Sequence, residues 1–183
     1  MAQFAKAEAQ MINAKIDTTK LKNMETKLNC KFGNDGQFVE MALALNKYQE
    51  QLPTISGVSF GVYSGDLEKI GKFVEKVDPK WCKYFTENTT IFCGFVKDEP
   101  VSFCIVTTTA DSILSDDKLK IGGIACVGTV PDYRKHGIGL KMVDLATMYL
   151  KNLNCDIAYI HYTHLEKWYK KLGYETIARF SFS

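Results

Sequence analysis

Val127-Gly128-Thr129-Val130-Pro131-Asp132-Tyr133-Arg134-Lys135-His136-Gly137-Ile138-Gly139 joins an apolar run to a long helical pattern, and the reading of that join decides the fold. A strand ends, a short basic turn follows, and two glycines open a helix. Helix N-termini offer unpaired N–H groups and the positive end of the helix dipole, which together favour an anion. Glycine lets the backbone come close to that anion, and Arg134, Lys135 and His136 place cationic side chains beside it. Two familiar nucleotide loops are excluded directly. The dinucleotide fingerprint requires a third glycine at position 142, where Met142 stands, and the P-loop tripeptide Gly-Lys-Ser/Thr is absent. Taken alone, the remaining Gly-x-Gly fits either an anion site or a Gly-rich turn carrying solvated charges.

Downstream, Ile138, Met142, Leu145, Ala146 and Tyr149 recur on one face of a helix over 137–152. Cys155 to Tyr162 reads as a strand, and Thr163-His164-Leu165-Glu166 as a capping box opening a short helix. Lys170 and Lys171 close that helix, Gly173 stops it, and Tyr174 to Phe182 is a last strand. Upstream, Ile121 to Val130 is a strand, and Asp111 to Lys120 a polar loop. Thr89–Lys97 and Val101–Thr108 form an antiparallel hairpin about Lys97-Asp98-Glu99-Pro100. Val58–Tyr63 is a further strand, Asp66 opens an amphipathic helix through Val77, and Pro79 begins a short helix to Phe85. The order predicts a mixed α/β (α+β) layer with an antiparallel start and later crossover helices.

Before Gly57 the pattern differs. Ala2–Ala14 is Ala-rich, Leu21–Leu28 is short and charged, and Val39, Met41, Ala42, Leu45 and Tyr48 recur at helical spacing within Phe38–Leu52. This predicts an N-terminal helical extension over residues 1–56, with almost no strand signal, ahead of a domain over 57–183. The extension is a candidate for docking a partner or pairing two subunits as a homodimer.

Composition bounds the function. Of 183 residues, 46% are hydrophobic and 24% charged, an ordinary globular balance. Net charge is only +2, which argues against a nucleic-acid binder. The longest uncharged run, Gln51–Gly65, is fifteen residues broken by Pro53, Gly57 and Gly61, so no membrane span is expected. The N-terminus shows no basic head followed by an apolar stretch, and a cytoplasmic location is expected. No two of the six cysteines have metal-ribbon or redox-motif spacing. They read as reduced core thiols, with Cys126 the alternative as a nucleophile. His161 and His164 lack a third ligand nearby, so no metal is expected.

The string Arg134-x-x-Gly137-x-Gly139 between a strand and a long helix resembles the acyl-CoA pyrophosphate loop of the GNAT superfamily of N-acetyltransferases. Trp168-Tyr169-Lys170-Lys171-Leu172-Gly173-Tyr174 resembles the family's late helix, and one helix and one strand separate the two motifs. The resemblance covers roughly 57–183 and implies a GNAT-like mixed, largely antiparallel central sheet flanked by helices. It implies acetyl-CoA as acyl donor, with Val127, Gly128, Thr129 and Val130 along the pantetheine and Arg134, Lys135, His136, Gly137, Ile138 and Gly139 about the pyrophosphate. It further implies that a primary amine, on a small molecule or a peptide, attacks the thioester directly, and that Tyr169 protonates the departing thiolate.

Three positions depart from the family pattern. No carboxylate stands on Ile121–Val130 to act as base, leaving water, Asp111, Asp116, Asp117 or His161. Tyr162 stands where an asparagine is common, and the end at Ser183 leaves little length for a terminal hairpin. A non-catalytic acyl-CoA sensor is the alternative function.

Overall fold

Turn and cap chemistry place most of the elements. A computed structural model describes residues 14–115 and 118–183. Among them the chain runs α1 (Thr18–Leu28), β1 (Cys30–Phe32), β2 (Phe38–Ala44), β3 (Ser59–Val62), α2 (Leu67–Glu75) and a 3-10 turn at Pro79–Tyr84. It continues through β4 (Thr90–Val96), β5 (Glu99–Thr107), β6 (Ile121–Thr129), α3 (Ile138–Asn152), β7 (Ile157–Thr163), α4 (Glu166–Tyr169) and β8 (Glu175–Phe182). The strands form an eight-stranded sheet in the order β1-β8-β2-β7-β6-β5-β4-β3. It is mixed and largely antiparallel, with β6 and β7 parallel.

One compact unit comprises Gln49–Thr107 and Ile124–Leu150. The predicted hairpin is there, turning at Lys97 and Asp98, both with positive φ (49° and 63°), as a two-residue turn matched to strand twist requires. Asp66 caps α2 by accepting from Glu68 N–H, and Ile70 and Val74 enter a core with Phe85, Ile91, Cys93 and Phe103. The buried face of α3 departs from the sequence expectation: Lys141, Asp144 and Thr147 are buried beside Met142 and Ala146, whereas Leu145 and Tyr149 are only half-buried.

The other unit comprises the chain through Tyr48, Thr108–Gly123 and Lys151–Ser183. Here the helix expected over Phe38–Leu52 is corrected. Phe38–Ala44 is strand β2, hydrogen-bonded between β8 and β7, and Cys30–Phe32 adds β1 beyond β8. The residues before Gly57 thus supply two strands and one described helix, not a purely helical extension. Val39, Glu40, Met41 and Ala42 are all fully buried, and a bulge at Glu40/Met41 interrupts the alternation. A central strand covered on both faces reads as a continuous apolar run, which helical spacing then claims. The helix expected over Ala2–Ala14 lies outside the described residues except for Ala14, which is buried.

The capping box at Thr163 is also corrected. Thr163 Oγ1 accepts from Leu165 N–H at 3.0 Å, but Glu166 turns away to bind Lys170, Thr176 and Arg179. Gly173, at φ 86°, ends the helical turn as expected. All six cysteines are free thiols. Among the described residues no helix is long and apolar enough to cross a membrane, and no group of three metal-ligating side chains forms.

Candidate functional site

The basic turn is built within the first unit. Val130 donates its N–H to Val101 O at 2.9 Å and accepts from Tyr133 N–H at 2.9 Å, so both of its backbone groups are committed to shaping the turn. Pro131–Tyr133 forms a 3-10 turn, and Arg134 Nε reaches back to Thr129 O at 2.9 Å. Lys135 and Gly137 both take positive φ (66° and 78°), which reverses the chain into α3. Lys141 N–H bonds Gly137 O at 3.0 Å, so the N–H groups of Ile138, Gly139 and Leu140 precede that bond at the helix start. Arg134, Lys135, His136 and Gly137 are exposed, and buried Ile138 anchors the turn. A Cβ on Gly137 would meet nothing closer than Ile55 Cδ1 at 3.8 Å, so space lies open over the loop backbone.

On β6, Gly128 is required by packing: a Cβ there would stand 2.7 Å from the Phe103 ring. Ser102 Oγ donates to Gly128 O at 3.0 Å and also lies 2.9 Å from Thr129 Oγ1, while Val127 is half-buried. Cys126 adopts φ 49°, a local kink in the strand, and burial pushes its thiol up to about 11. A thiol held protonated is a poor nucleophile, which argues against Cys126 as an acyl acceptor.

His161 and Tyr169 belong to the second unit. His161 Nδ1 lies 3.1 and 3.2 Å from the two carboxylate oxygens of Glu40, on β2. Glu40 is fully buried and His161 half-buried. The Tyr159 hydroxyl also hydrogen-bonds Glu40 and accepts from Ile113 N–H at 3.2 Å. Complete burial pushes the Tyr159 hydroxyl well above its ordinary value, so it stays a proton donor. Tyr169 is 4% exposed, its ring edge-on to Trp168 at 4.8 Å and to Tyr174 at 5.9 Å.

The sequence model described as Acetyltransferase (GNAT) family matches residues 63–174, more than half of the chain. The chain belongs to the GNAT acetyltransferase family. No curated protein matches it by sequence. Among solved structures, a GCN5-related glucosamine N-acetyltransferase region of a fungal multi-domain GH3 β-N-acetylglucosaminidase superposes with TM-score 0.66 at 20% identity, covering 88% of this chain and 22% of that one. A GCN5-related N-acetyltransferase from Kribbella flavida gives 0.60 at 15% identity, covering 87% and 61%. One from Sphaerobacter thermophilus gives 0.61 at 14%, covering 91% and 56%. The GNAT chain described here thus spans less than two-thirds of each neighbour's length, and the likeness is one of fold.

Among the bases left open by this GNAT sequence, Asp111 is ion-paired to Lys27 at 2.5 Å. The Lys27 hydrogen bond outweighs burial and lowers the Asp111 carboxyl below its ordinary value, which makes it a weaker base. Asp116 and Asp117 lie outside the described residues. Glu40 was missed. Its signal was a lone carboxylate inside Phe38-Val39-Glu40-Met41-Ala42, a run otherwise wholly apolar. Burial of an acid among such neighbours demands a partner, and His161 and Tyr159 are those partners.

Proposed function

We propose that this protein transfers an acetyl group from acetyl-CoA to a primary amine on a small molecule or a peptide. The observation that carries the reading is the Arg134–Gly139 turn, exposed over its first four residues. Its backbone reverses through two positive-φ residues into the N-terminus of a long helix, with cationic side chains at its rim. That arrangement suits a pyrophosphate, whose charge the helix N–H groups and Arg134 would meet. Val127, Gly128 and Thr129 would run along the pantetheine, and Val130 would hold the turn in shape.

Acetyl-CoA brings an activated thioester carbonyl. The chain's own groups must take a proton from the attacking ammonium and return one to the departing thiolate. His161 is assigned the first of these roles, because imidazole accepts a proton near neutrality. Tyr169 is assigned the second, since phenol and thiol differ by only about 1.5 in reference pKa. No covalent enzyme intermediate is required. The six free thiols fit a reducing compartment such as the cytoplasm.

The acceptor is defined only as an amine. The fungal neighbour's name includes glucosamine, so glucosamine belongs in the test beside putrescine, phenethylamine and a peptide with a free N-terminus. The assay is release of CoA thiol from acetyl-CoA with each amine. Turnover with at least one amine is expected, and Tyr169→Phe should lower it at least tenfold while acetyl-CoA binding survives. Binding without turnover on any amine would instead favour a non-catalytic acyl-CoA sensor. Unchanged turnover in Tyr169→Phe would remove Tyr169 from the mechanism.

A further inference from the structure

We infer that Glu40 is the positioning residue that makes His161 a base: it holds the imidazole with Nδ1 protonated and the accepting lone pair on Nε2. The inference rests on the acyl-transfer reading above and deepens it by supplying the carboxylate that β6 lacks.

Donor and acceptor chemistry fixes the tautomer. An ionised carboxylate only accepts hydrogen bonds. With both Glu40 oxygens within 3.2 Å of Nδ1, that nitrogen must carry the proton. The other ring nitrogen is then the acceptor in neutral imidazole. Glu40 is itself held. It is fully buried on β2, and the Tyr159 hydroxyl donates to it while accepting the Ile113 N–H. The carboxylate is thus fixed by one partner and aims the other, and its charge stabilises the imidazolium formed once His161 has taken the amine's proton. His161 is the half-exposed member of the trio, so it is the one whose ring a substrate can reach from solvent.

The placement also gives the residues before Gly57 a chemical role. Glu40 reaches His161 because β2 pairs with β7, with Met41 opposite Ile160 and Val39 opposite Thr163. The register shift between Val39 and Met41 in that ladder falls at Glu40, where a bulge re-aims a side chain.

The test uses the whole chain, which has only three histidines, so the imidazole nitrogens of His136, His161 and His164 are separable by long-range proton–nitrogen spectra of labelled protein. In the wild type His161 is expected in the Nδ1–H tautomer. An Nε2–H tautomer there overturns the pairing whatever the protein acylates, and that measurement needs no variant to fold. In Glu40→Gln the amide can donate or accept, so the single tautomer should give way to a mixture. Turnover should fall roughly 10- to 100-fold, less than the roughly 10²- to 10⁴-fold expected for loss of the base itself in His161→Ala.

Because the two residues act through one nitrogen, Glu40→Gln should cost little more in the His161→Ala background. Losses that multiply in the double variant would overturn the positioning role. Glu40→Asp, which keeps the charge, should retain more activity than Glu40→Gln; the reverse order would contradict it. Failure of the acyl-transfer reading shows itself separately, as no CoA release by the wild type with any amine, and the base role falls with it even if the tautomer is fixed.

Discussion

Replacing Asp144 by alanine is expected to destabilise the protein by about 3–5 kcal/mol, the cost of breaking a buried ion pair from one side. Asp144 lies on α3 with its side chain fully buried, 3.4 Å from Lys141 Nζ, which is itself only 2% exposed. Its carboxylate accepts the N–H of Gln51 at 3.1 Å to each oxygen and that of Leu52 at 2.9 Å. Lys141 also donates to Leu52 O and pairs with Glu50, which is 47% exposed. Without Asp144 the ammonium keeps one half-solvated carboxylate, and two backbone donors lose their acceptor.

Lys141→Met is expected to cost less, about 1–3 kcal/mol, because Asp144 keeps both N–H donors. For a chain of this length about 1 kcal/mol shifts the Tm by roughly 2–4 °C, so Asp144→Ala should lower it by about 6–20 °C. Thermal melts and urea titrations followed by circular dichroism measure both variants. A loss below about 1 kcal/mol for Asp144→Ala, or a greater loss for Lys141→Met, would mean that Asp144 is not the group that holds this cluster together. The consequence reaches the loop, because Lys141 also makes the N–H bond to Gly137 that starts α3.

Gly137→Ala keeps open space for its new methyl but must hold φ 78°, so it should cost about 1–2 kcal/mol and weaken acetyl-CoA binding in titration calorimetry. An unchanged melt and affinity would contradict the assigned loop geometry. Burial raises the Glu166 carboxyl, but hydrogen bonds from Arg179, Lys170 and Thr176 outweigh it and lower it from 4.5 to about 2. Its stabilisation is therefore complete above its unfolded value of 4.5 and is lost as the pH falls toward 2. The stability gap between wild type and Glu166→Gln should narrow over that interval in pH-dependent urea titrations, and a gap constant with pH would contradict the assignment.

Sequence legibility followed how locally each feature is encoded. The β4/β5 hairpin and α2 were readable because a tight turn and an Asp66 cap act within a few residues. The Arg134–Gly139 turn was readable for the same reason. β2 was not, because its identity comes from pairing with β7 and β8, distant in sequence, and burial on both faces erased its alternation. Glu40 was hidden with it: a lone acid in a supposed helix has no visible partner, and the partner stands 121 residues away. Lys141 and Asp144 escaped likewise, since charged residues on a helix read as its solvated face until Gln51 and Leu52 are seen to cover them. Glu166 matched a local capping pattern, but Arg179 and Thr176 on β8 and Lys170 on the following turn took its carboxylate instead.

Thermal denaturation with acetyl-CoA, CoA and NAD tests directly whether the turn at Arg134–Gly139 receives acyl-CoA. A ligand at about a hundred times its Kd stabilises by roughly 2.7 kcal/mol. The Tm should then rise by roughly 5–11 °C with acetyl-CoA. CoA should produce a similar rise, and NAD none. Stabilisation by NAD without any by acetyl-CoA would contradict the account.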